Sequence, residues 1–404
     1  MIKENSIKLG EIAEFRNGVN YNESNFGRGI KIINVANFKD YSKPNYEELG
    51  EINPNELIKE DDLLQNGDIV FVRSNGNKNL IGRTLYIDEI EENLTYSAFC
   101  IRTRFKSEEC NPKFYSYLFK TSLIRQTLST QGNGTNISNL NQKILNNLSV
   151  PKPSIDKQNK ITSILSKYDE LIENNLKRIK LLEESAELIY KEWFINLRFP
   201  GYEKCNIVDG IPDGWSIKFV KEFGEVITGK TPSTKKNEYY GGSIPFVKTP
   251  DMNNMYTIKT IQKLTEEGAK SQEKKYVPKN TILVSCIGTV GVVSLTSELS
   301  QFNQQINGLV LNKENYIYYM YFKLKFLKGY LEALGSSGST MLNVNKYKFE
   351  NIEILKPPKE LLDQFMTICK PIFNNVLNIQ HQTEKLKEAR DILIPRLISG
   401  RIEV

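Results

Sequence analysis

One segment of the chain matches the pattern of a nucleotide-binding loop letter for letter. Residues 224–231 read Gly-Glu-Val-Ile-Thr-Gly-Lys-Thr, the G-x-x-x-x-G-K-[ST] pattern whose backbone amides cradle phosphates. That chemistry needs a buried strand before the loop and a helix after it, because the helix N-terminus faces the anion. The polar run that follows, residues 232–238, has no apolar face and leads to Gly241-Gly242. ATP or GTP binding is therefore the least favoured function.

Other residues suited to catalysis are scarce. The chain has a single histidine, His381, which leaves little for histidine-based acid–base or triad chemistry. Its five cysteines are scattered without a C-x-x-C pair, which argues against a zinc site and a disulfide framework; they are Cys100, Cys110, Cys205, Cys286 and Cys369. We expect no metal and no cofactor in this chain.

Polar, glycine-rich loops in both halves carry the residue types that bind DNA. Arg, Lys, Asn and Gln read base edges, while Ser, Thr and backbone amides hold the sugar–phosphate. The first half offers Arg73, Ser74, Asn75, Asn77, Lys78, Arg83, Asn133, Thr135 and Asn136. The second half offers Lys230, Thr231, Ser233, Thr234, Lys235, Lys236, Ser285, Thr289, Ser336, Ser337, Ser339 and Thr340. For any one loop, a solvated turn is the simpler interpretation.

A further polar cluster, Gln301 and residues 303–305, precedes a predicted strand over 306–311. Solvation of an edge strand explains this cluster as well as base reading does, so both interpretations stay open.

The candidate loops recur because the chain is an internal repeat. Gly18 aligns with Gly229, residues 68–72 with 281–285, and 145–148 with 349–352. From Gly134 to Phe194 every residue aligns with the one 204 positions later, without a gap. Agreement of turns, strands and helices over this length indicates a duplication.

Each copy begins with short β-branched and aromatic runs bounded by Gly, Asn and Asp, which predict strands. One helix interrupts them, over 112–128 in the first copy and 316–334 in the second, and a last strand ends at prolines. A long helix follows. The sequence thus predicts an α+β fold: two mixed α/β domains, 1–150 and 200–355, joined by two long antiparallel coiled-coil helices, 151–199 and 356–404.

Both long helices carry a heptad seam, and each seam supplies a partner for the other. In the first helix the seam residues are Ile161, Leu165, Tyr168, Ile172, Asn175, Ile179, Leu182, Ala186, Ile189 and Trp193. In the second they are Phe365, Cys369, Ile372, Val376, Ile379, Thr383, Leu386, Arg390, Leu393 and Leu397. Pro371 predicts a kink or restart of the second helix, and Pro395 predicts its end or a bend.

Length and composition agree with this organisation. The 404 residues suit two or three domains, and 39% hydrophobic with 25% charged residues is typical of a globular chain. No stretch approaches the ~20 apolar residues of a membrane span, and the first residues lack the apolar region of a signal peptide. The net charge of +6 falls mainly between residues 195 and 355. It is compatible with nucleic acid but is weak evidence for it.

With these residues in place, the whole chain resembles the specificity subunit of type I restriction–modification systems. The resemblance rests on segments 211–215, 224–226 and 229–233, on Pro357-Pro358, on the Lys-Pro-rich lead into a helix with Gln158, and on 393–400. It implies that 1–150 and 200–355 are target recognition domains, each reading half of a bipartite double-stranded DNA target. The helices would be spacers that act as a ruler.

The resemblance also implies protein partners and a cellular location. Two methyltransferase (modification) subunits would dock on the helices, and restriction/translocase subunits would join the assembly. S-adenosylmethionine, ATP and Mg²⁺ are expected on those partners, so this chain would be non-catalytic and work in the cytoplasm of a prokaryote, away from membranes. The alternative is a scaffold that uses its paired helices only to hold proteins.

Overall fold

The computed structural model describes residues 6–38, 43–54, 58–77, 80–131, 139–336 and 342–404, and the side chains of 129–131 are not part of the description. The chain forms two compact units. Unit 1 comprises Met1–Glu170 and Leu386–Val404, and unit 2 comprises Leu171–Lys385. Each unit therefore takes part of both long helices. The predicted domain boundaries follow the repeat instead and stay predictions.

Unit 1 contains three small sheets. Its strands are β1 (Ser6–Lys8), β2 (Ala13–Asn17), β3 (Phe26–Ile33), β4 (Gly50–Ile52), β5 (Ile69–Val72), β6 (Thr84–Tyr86), β7 (Leu94–Tyr96), β8 (Cys100–Phe105) and β9 (Ser149–Pro151). The sheet orders are β2-β8-β5-β6, β4-β3-β7 and β1-β9. All four residues of β5 are buried, because both faces of this central strand are covered.

Short helices cover one face of the four-stranded sheet. They are α1 (Leu9–Ile12), α2 (Pro112–Lys120), α3 (Ser122–Gln131) and α4 (Gln142–Asn146). Ile69 and Phe71 of β5 and the apolar residues of α2 share one core with Ile161 and Leu165 of the first long helix, α5 (Ile155–Tyr190). The sheet, its helices and the start of α5 are therefore one packed body.

Unit 2 repeats this architecture. Its strands are β10 (Ile207–Val208), β11 (Ile211–Pro212), β12 (Ser216–Phe219), β13 (Gly224–Thr228), β14 (Tyr240–Val247), β15 (Tyr256–Thr257), β16 (Gln262–Leu264), β17 (Ile282–Ser285), β18 (Val293–Thr296), β19 (Gln301–Phe302), β20 (Ile306–Leu311) and β21 (Glu353–Lys356). The sheet orders are β13-β20-β17-β18-β15, β16-β14-β19 and β12-β21, with a β10-β11 hairpin before them. The predicted strand over 306–311 is confirmed.

The helices of the second copy are α6 (Glu266–Lys270), α7 (Ile317–Phe326), α8 (Lys328–Gly335), α9 (Lys346–Glu350) and α10 (Lys359–Ile398). By their place in the repeat, α7 to α10 correspond to α2 to α5, whereas α6, which follows β16, has no counterpart among the described residues of unit 1. A short π-helical segment, Lys191–Ile195, extends α5.

Equivalent hydrogen bonds confirm the duplication residue by residue. The Tyr115 hydroxyl donates to the Pro151 carbonyl, and Tyr319, 204 positions later, donates to that of Leu355. Asn111 bonds to Asn159 just as Asn315 bonds to Asp363. Asn141 and Asn345 cap α4 and α9 in the same way. The constant offset thus extends back to residue 111.

One buried contact of unit 1 has no counterpart. The side chain of Gln158 is fully buried; its amide oxygen accepts from Asn111 N, and its nitrogen donates to the carbonyls of Glu109 and Pro153. These bonds fasten the start of α5 to the loop before α2. The equivalent position in α10 is Leu362, also fully buried, so packing replaces hydrogen bonding there.

The two long helices pair antiparallel. In unit 1 the start of α5 packs against the end of α10, through Ile161, Leu165, Ile394 and Leu397. In unit 2 the end of α5 packs against the start of α10, where Tyr190 lies against Phe365 and Phe322. Tyr190 is almost fully buried, although the sequence placed its neighbour Ile189 in the seam.

The structure buries or half-buries all the predicted seam positions. On α5 these are Ile161, Leu165, Tyr168, Ile172, Asn175, Ile179, Leu182, Ala186 and Ile189, with Trp193 just beyond the helix. On α10 they are Phe365, Cys369, Ile372, Val376, Ile379, Thr383, Leu386, Arg390, Leu393 and Leu397.

The restart of the second helix at Pro371 and its end at Pro395 were wrong as predictions, whereas the kink and the bend stay predictions. Helix α10 runs without interruption through Pro371, and it continues past Pro395 to Ile398. Both prolines lie on the exposed side of the helix, where water can bind the carbonyl that loses its N–H partner. A proline on that side does not force a restart.

The single helix predicted in each copy is in fact a pair. The first breaks at Thr121, whose backbone is extended (φ −63°, ψ 144°) and whose hydroxyl donates to the Leu118 carbonyl. The second breaks at Leu327. A Thr-Ser pair offers the backbone bonds that compete with helix propagation, a signal that was available in the sequence.

Candidate nucleic-acid interface

A glycine in each unit packs directly against a neighbouring backbone. A Cβ on Gly18 would lie 2.3 Å from the carbonyl oxygens of Tyr96 and Ser97, and one on Gly229 would lie 2.2 Å from that of Asn303. The next residue then donates its N–H across the same gap, Val19 to Tyr96 and Lys230 to Phe302. Only glycine permits this approach, which explains why the two glycines align in the repeat.

Each glycine lies against a tight turn that opens a long strand. We refer to them as turn 97–99 (Ser97-Ala98-Phe99, before β8) and turn 303–305 (Asn303-Gln304-Gln305, before β20). The Phe99 carbonyl accepts from Arg73 N (2.8 Å), and the Gln305 carbonyl accepts from Cys286 N (2.7 Å). The residue after β5 or β17 is therefore bonded to the turn in both units.

Four segments meet in each unit, and we call this the four-segment arrangement. They are the segment of the close-packed glycine, the turn, the residues after β5 or β17, and a segment that pairs with those residues. Ser74 forms an antiparallel bridge with Asn139, and Ile287 forms one with Asn343. The segments of Asn139 and Asn343 follow the predicted glycine-rich loops along the chain. Several predicted DNA contacts in or near those loops lie outside the described residues, namely Lys78, Asn133, Thr135, Asn136, Ser337, Ser339 and Thr340.

In unit 1 the structure places Arg73 and Ser74 beside turn 97–99. Arg73 is half-buried, and its Nη1 donates to the Ala98 carbonyl (3.2 Å). Asn75 accepts from Asn77 N (2.7 Å) within an exposed loop. Arg83 is held elsewhere, since its Nη1 donates to the Phe38 carbonyl (3.2 Å).

In unit 2 the residues after Gly229 lie beside turn 303–305. Lys230 is exposed, and the Thr231 hydroxyl donates to Gln304 Oε1 (2.5 Å). The next residues form an exposed polar segment: Ser233, Thr234, Lys235 and Lys236. Lys236 Nζ donates to the Tyr239 hydroxyl (2.9 Å), a bond that raises the pKa of the lysine and keeps it charged.

Two further predicted residues of unit 2 are exposed, and one is not. Thr289 is exposed, and Ser336 is exposed at the end of α8, where its hydroxyl donates to the Ala333 carbonyl. The prediction for Ser285 was wrong. Its side chain is fully buried, and its Oγ accepts from Val292 N (2.9 Å). Strand β17 includes Ser285, although a polar residue at this position suggested that the strand had already ended.

A shallow groove of about 390 Å³ lies beside turn 303–305. Its polar lining consists of Thr249, Asn253, Thr289 and Gln305, and its floor is apolar, with Met252, Ile287 and Val292 among the lining residues. A mixed lining of this kind offers hydrogen bonds and apolar contacts together, which suits the edge of a base.

The apparent nucleotide-binding loop is a strand. Gly224–Thr228 forms β13, paired along its length with β20, so its backbone N–H groups lie in or beside a sheet ladder. The next helical residues are a single turn at Asn237–Tyr239. The strand–loop–helix that a phosphate cradle requires is therefore not formed here.

The sequence missed an exposed aromatic residue at the centre of the unit 1 arrangement. Phe99 is 60% exposed, although an isolated Phe next to a strand is usually a core residue. Its alignment with Gln305, in the polar cluster whose meaning the sequence left open, was the one available signal.

Four leucines of α5 lie outside the seam. Leu171, Leu176, Leu181 and Leu188 belong to unit 2 and are all exposed. Among the described residues, no group of His, Cys, Asp or Glu is arranged to hold a metal ion. The search of those same residues found no helix with the length and apolarity of a membrane span.

Comparisons with known proteins agree with this architecture. The family model of the type I restriction modification DNA specificity domain matches residues 2–184 and again 212–388. The chain is 30% identical to the HindI specificity subunit of Haemophilus influenzae, covering 84% of this chain and 87% of that one. It is 27% identical to the MjaIX specificity subunit of Methanocaldococcus jannaschii, covering 72% and 69%.

A solved structure supports the fold. The S subunit of a type I restriction-modification system from M. genitalium superposes with a TM-score of 0.58 over 98% of this chain and 97% of that one, at 14% identity. Two matched domains, relatives matched over most of their length and a shared fold identify the chain as a member of the type I restriction–modification specificity subunit family.

Proposed function

We propose that each unit reads one half of a bipartite double-stranded DNA target. The observation that carries this proposal is the four-segment arrangement around turns 97–99 and 303–305, which is built twice on one backbone plan with different side chains. A duplicated frame with divergent surface chemistry suits two different half-sequences. The long helices would set the spacing between them.

The exposed polar residues around the turns supply contacts for DNA. Lys230, Lys235 and Lys236 are exposed cations that can neutralise phosphates, and Arg73 lies beside turn 97–99. Phosphate contacts fix the position of a protein on the duplex, and base edges then supply the sequence information. The segment that carries these lysines would bind the DNA backbone, and turns 97–99 and 303–305 would face a groove of the DNA.

The exposed leucines of α5 are proposed as part of the surface that receives protein partners. Two methyltransferase (modification) subunits would dock on the helices, and restriction/translocase subunits would join them. Methylation and ATP-dependent cleavage, with S-adenosylmethionine, ATP and Mg²⁺, would take place on those partners. This assignment rests on the family and on Leu181 and Leu188, which are exposed seven residues apart and so lie on the same face of α5.

Selection from a pool of random duplex DNA, using the chain together with the modification subunits of its host, tests the proposal. We expect enrichment of a sequence with two defined parts separated by a gap of fixed length. If the chain assembles with those subunits but no such sequence is enriched, DNA reading is rejected. A scaffold that only holds proteins would then be the better description.

A further inference from the structure

Turn 97–99 carries an aromatic ring, that of Phe99, which is not packed in the core of unit 1. Phe99 is exposed, whereas its neighbours Ser97 and Cys100 are buried. Many of the described aromatic rings pack against one another, but the ring of Phe99 is in none of those pairs. Core packing therefore does not explain this residue, and an exposed ring is a cost in water unless something covers it.

The turn is rigid. Ala98 N donates to the Val19 carbonyl (2.8 Å), Cys100 N donates to that of Ser97 (2.8 Å), and the Phe99 carbonyl accepts from Arg73 N (2.8 Å). The Arg73 guanidinium also donates to the Ala98 carbonyl, which places a cation next to the turn. An aromatic side chain on a fixed backbone loses little conformational entropy when it binds.

Turn 303–305 holds amides at the same place. The Oε1 atom of Gln304 accepts from the Thr231 hydroxyl, and that of Gln305 accepts from Asn303 Nδ2 (3.0 Å). Each of these oxygens already accepts one bond from the protein, and the NH₂ groups remain available as donors. The two units thus offer an apolar ring in one case and hydrogen-bond donors in the other.

We infer that turns 97–99 and 303–305 are the base-reading elements of the two units, and that Phe99 and Gln304 are specificity-determining residues. Phe99 makes apolar contact with a base, for which the thymine methyl group is the natural partner in the major groove. Gln304 donates to a base edge that presents acceptors, such as N7 and O6 of guanine. This inference rests on the proposed function, since it assigns the reading to particular side chains.

Two full-length variants test it, each with a matched control. Phe99→Gln removes the ring, and Leu123→Gln replaces another exposed apolar residue of unit 1. Gln304→Glu keeps an oxygen for Thr231 but turns the donor into an acceptor, and Gln382→Glu adds the same charge elsewhere in unit 2. All four positions are exposed, so thermal unfolding should be unchanged and will confirm that the variants fold.

The readout is selection from random duplex DNA with the modification subunits, followed by competition binding. We expect Phe99→Gln to change the preferred base pairs in one part of the sequence only, and Gln304→Glu to change the other part only. Each variant should bind the original sequence about tenfold more weakly, as one lost base contact predicts. The controls should select the original sequence.

The outcomes separate this inference from the proposed function. If the unchanged chain enriches a two-part sequence and both variants enrich the same one with equal affinity, the turns do not read bases. A uniform loss of affinity without any change in preference would show contact with the DNA backbone only, and would also overturn the inference. If the unchanged chain enriches no sequence, DNA reading itself fails, and this inference fails with it.

Discussion

Asp169 of α5 and Arg390 of α10 form a buried ion pair in unit 1, with 2.7 Å between Oδ1 and Nη1 and side chains only 13% and 16% exposed. The Tyr117 hydroxyl donates to the other oxygen of Asp169 (2.5 Å). In the repeat, the positions equivalent to Asp169 and Arg390 are Phe373 and Ala186, both fully buried. The same helix contact is therefore ionic in one unit and apolar in the other.

Removing one partner of this pair should destabilise unit 1 strongly. Asp169→Ala leaves the Arg390 charge buried without its carboxylate, and we expect a loss of about 3–5 kcal/mol in the free energy of unfolding. Urea unfolding followed by circular dichroism measures this. The double variant Asp169→Phe with Arg390→Ala copies the apolar pair of unit 2 and should recover most of the loss.

Asp391 provides the control, because it also bonds to Arg390 but is 63% exposed. Asp391→Ala should change stability by less than about 1 kcal/mol. An Asp169→Ala protein as stable as this control would mean that the buried pair contributes no net stability.

Stability should also depend on pH through Lys120, which lies near this pair. Burial lowers the pKa of Lys120 to about 8, and the nearby Asp169 carboxylate opposes this shift only in part. Between that pKa and the higher value of an unfolded lysine, the unfolded chain binds more protons, so the free energy of unfolding rises with pH. Below about pH 8, Lys120 is charged in the folded protein, and the burial of this charge lowers the free energy of unfolding in full. Above about pH 8, Lys120 loses its proton in the folded protein and this destabilisation becomes smaller.

Urea unfolding at pH 7.5 and 9.5 tests this dependence, with Lys120→Met as the comparison. We expect the free energy of unfolding of the unchanged chain to rise relative to the variant over this interval. Measurements stay below pH 10, because burial raises the pKa of Tyr117, and the unfolded tyrosine would then lose its proton first. Parallel curves for the two proteins would exclude Lys120 as the cause.

Salt dependence should distinguish the two kinds of DNA contact. Lys230→Ala is expected to weaken binding to all sequences and to make the dependence on salt shallower by about one charge. Arg73→Ala should weaken binding too, and more for the sequence half read by unit 1, because Arg73 also supports turn 97–99. Lys279→Ala, at another exposed lysine of unit 2, should leave both quantities unchanged; if Lys230→Ala behaves like it, the loop faces solvent.

The spacing role of the helices can be tested by lengthening both. One heptad inserted after Lys177 in α5 and another after His381, its equivalent in α10, keep the two seams in register. Seven residues add about 10 Å at 1.5 Å each, so the gap in the selected DNA sequence should grow by about three base pairs. Both half-sequences should stay the same. An unaltered gap would contradict a ruler.

The repeat, the strands and the paired helices could be predicted because they depend on periodic patterns. Their apolar positions recur every two residues in strands and every three or four in helices, and the two copies support each other. The burial of Ser285 could not be predicted in the same way, because β17 is covered on both faces and shows no alternation that would mark its end.

The site was harder to predict because exposure is a property of the tertiary structure. In the sequence Phe99 looks like one more strand residue, and only its 60% exposure in the folded chain shows that the ring points outward. At Pro371 the sequence predicted too much rather than too little. The proline predicted a break, but α10 accommodates it because that side of the helix faces water.

In each copy of the repeat, a strand at the start of the globular segment pairs with the last strand of that segment; in the second copy the β10-β11 hairpin precedes this pair. Ser6 lies opposite Pro151 in the β1-β9 ribbon, and Ser216 lies opposite Lys356 in the β12-β21 ribbon. The chain therefore enters and leaves each globular segment at the same place, the two-stranded ribbon. Genetic exchange with crossovers in those ribbons can replace one segment as a block, while the long helices keep their sequence. Under the proposed function, such an exchange would change one half of the DNA target at a time.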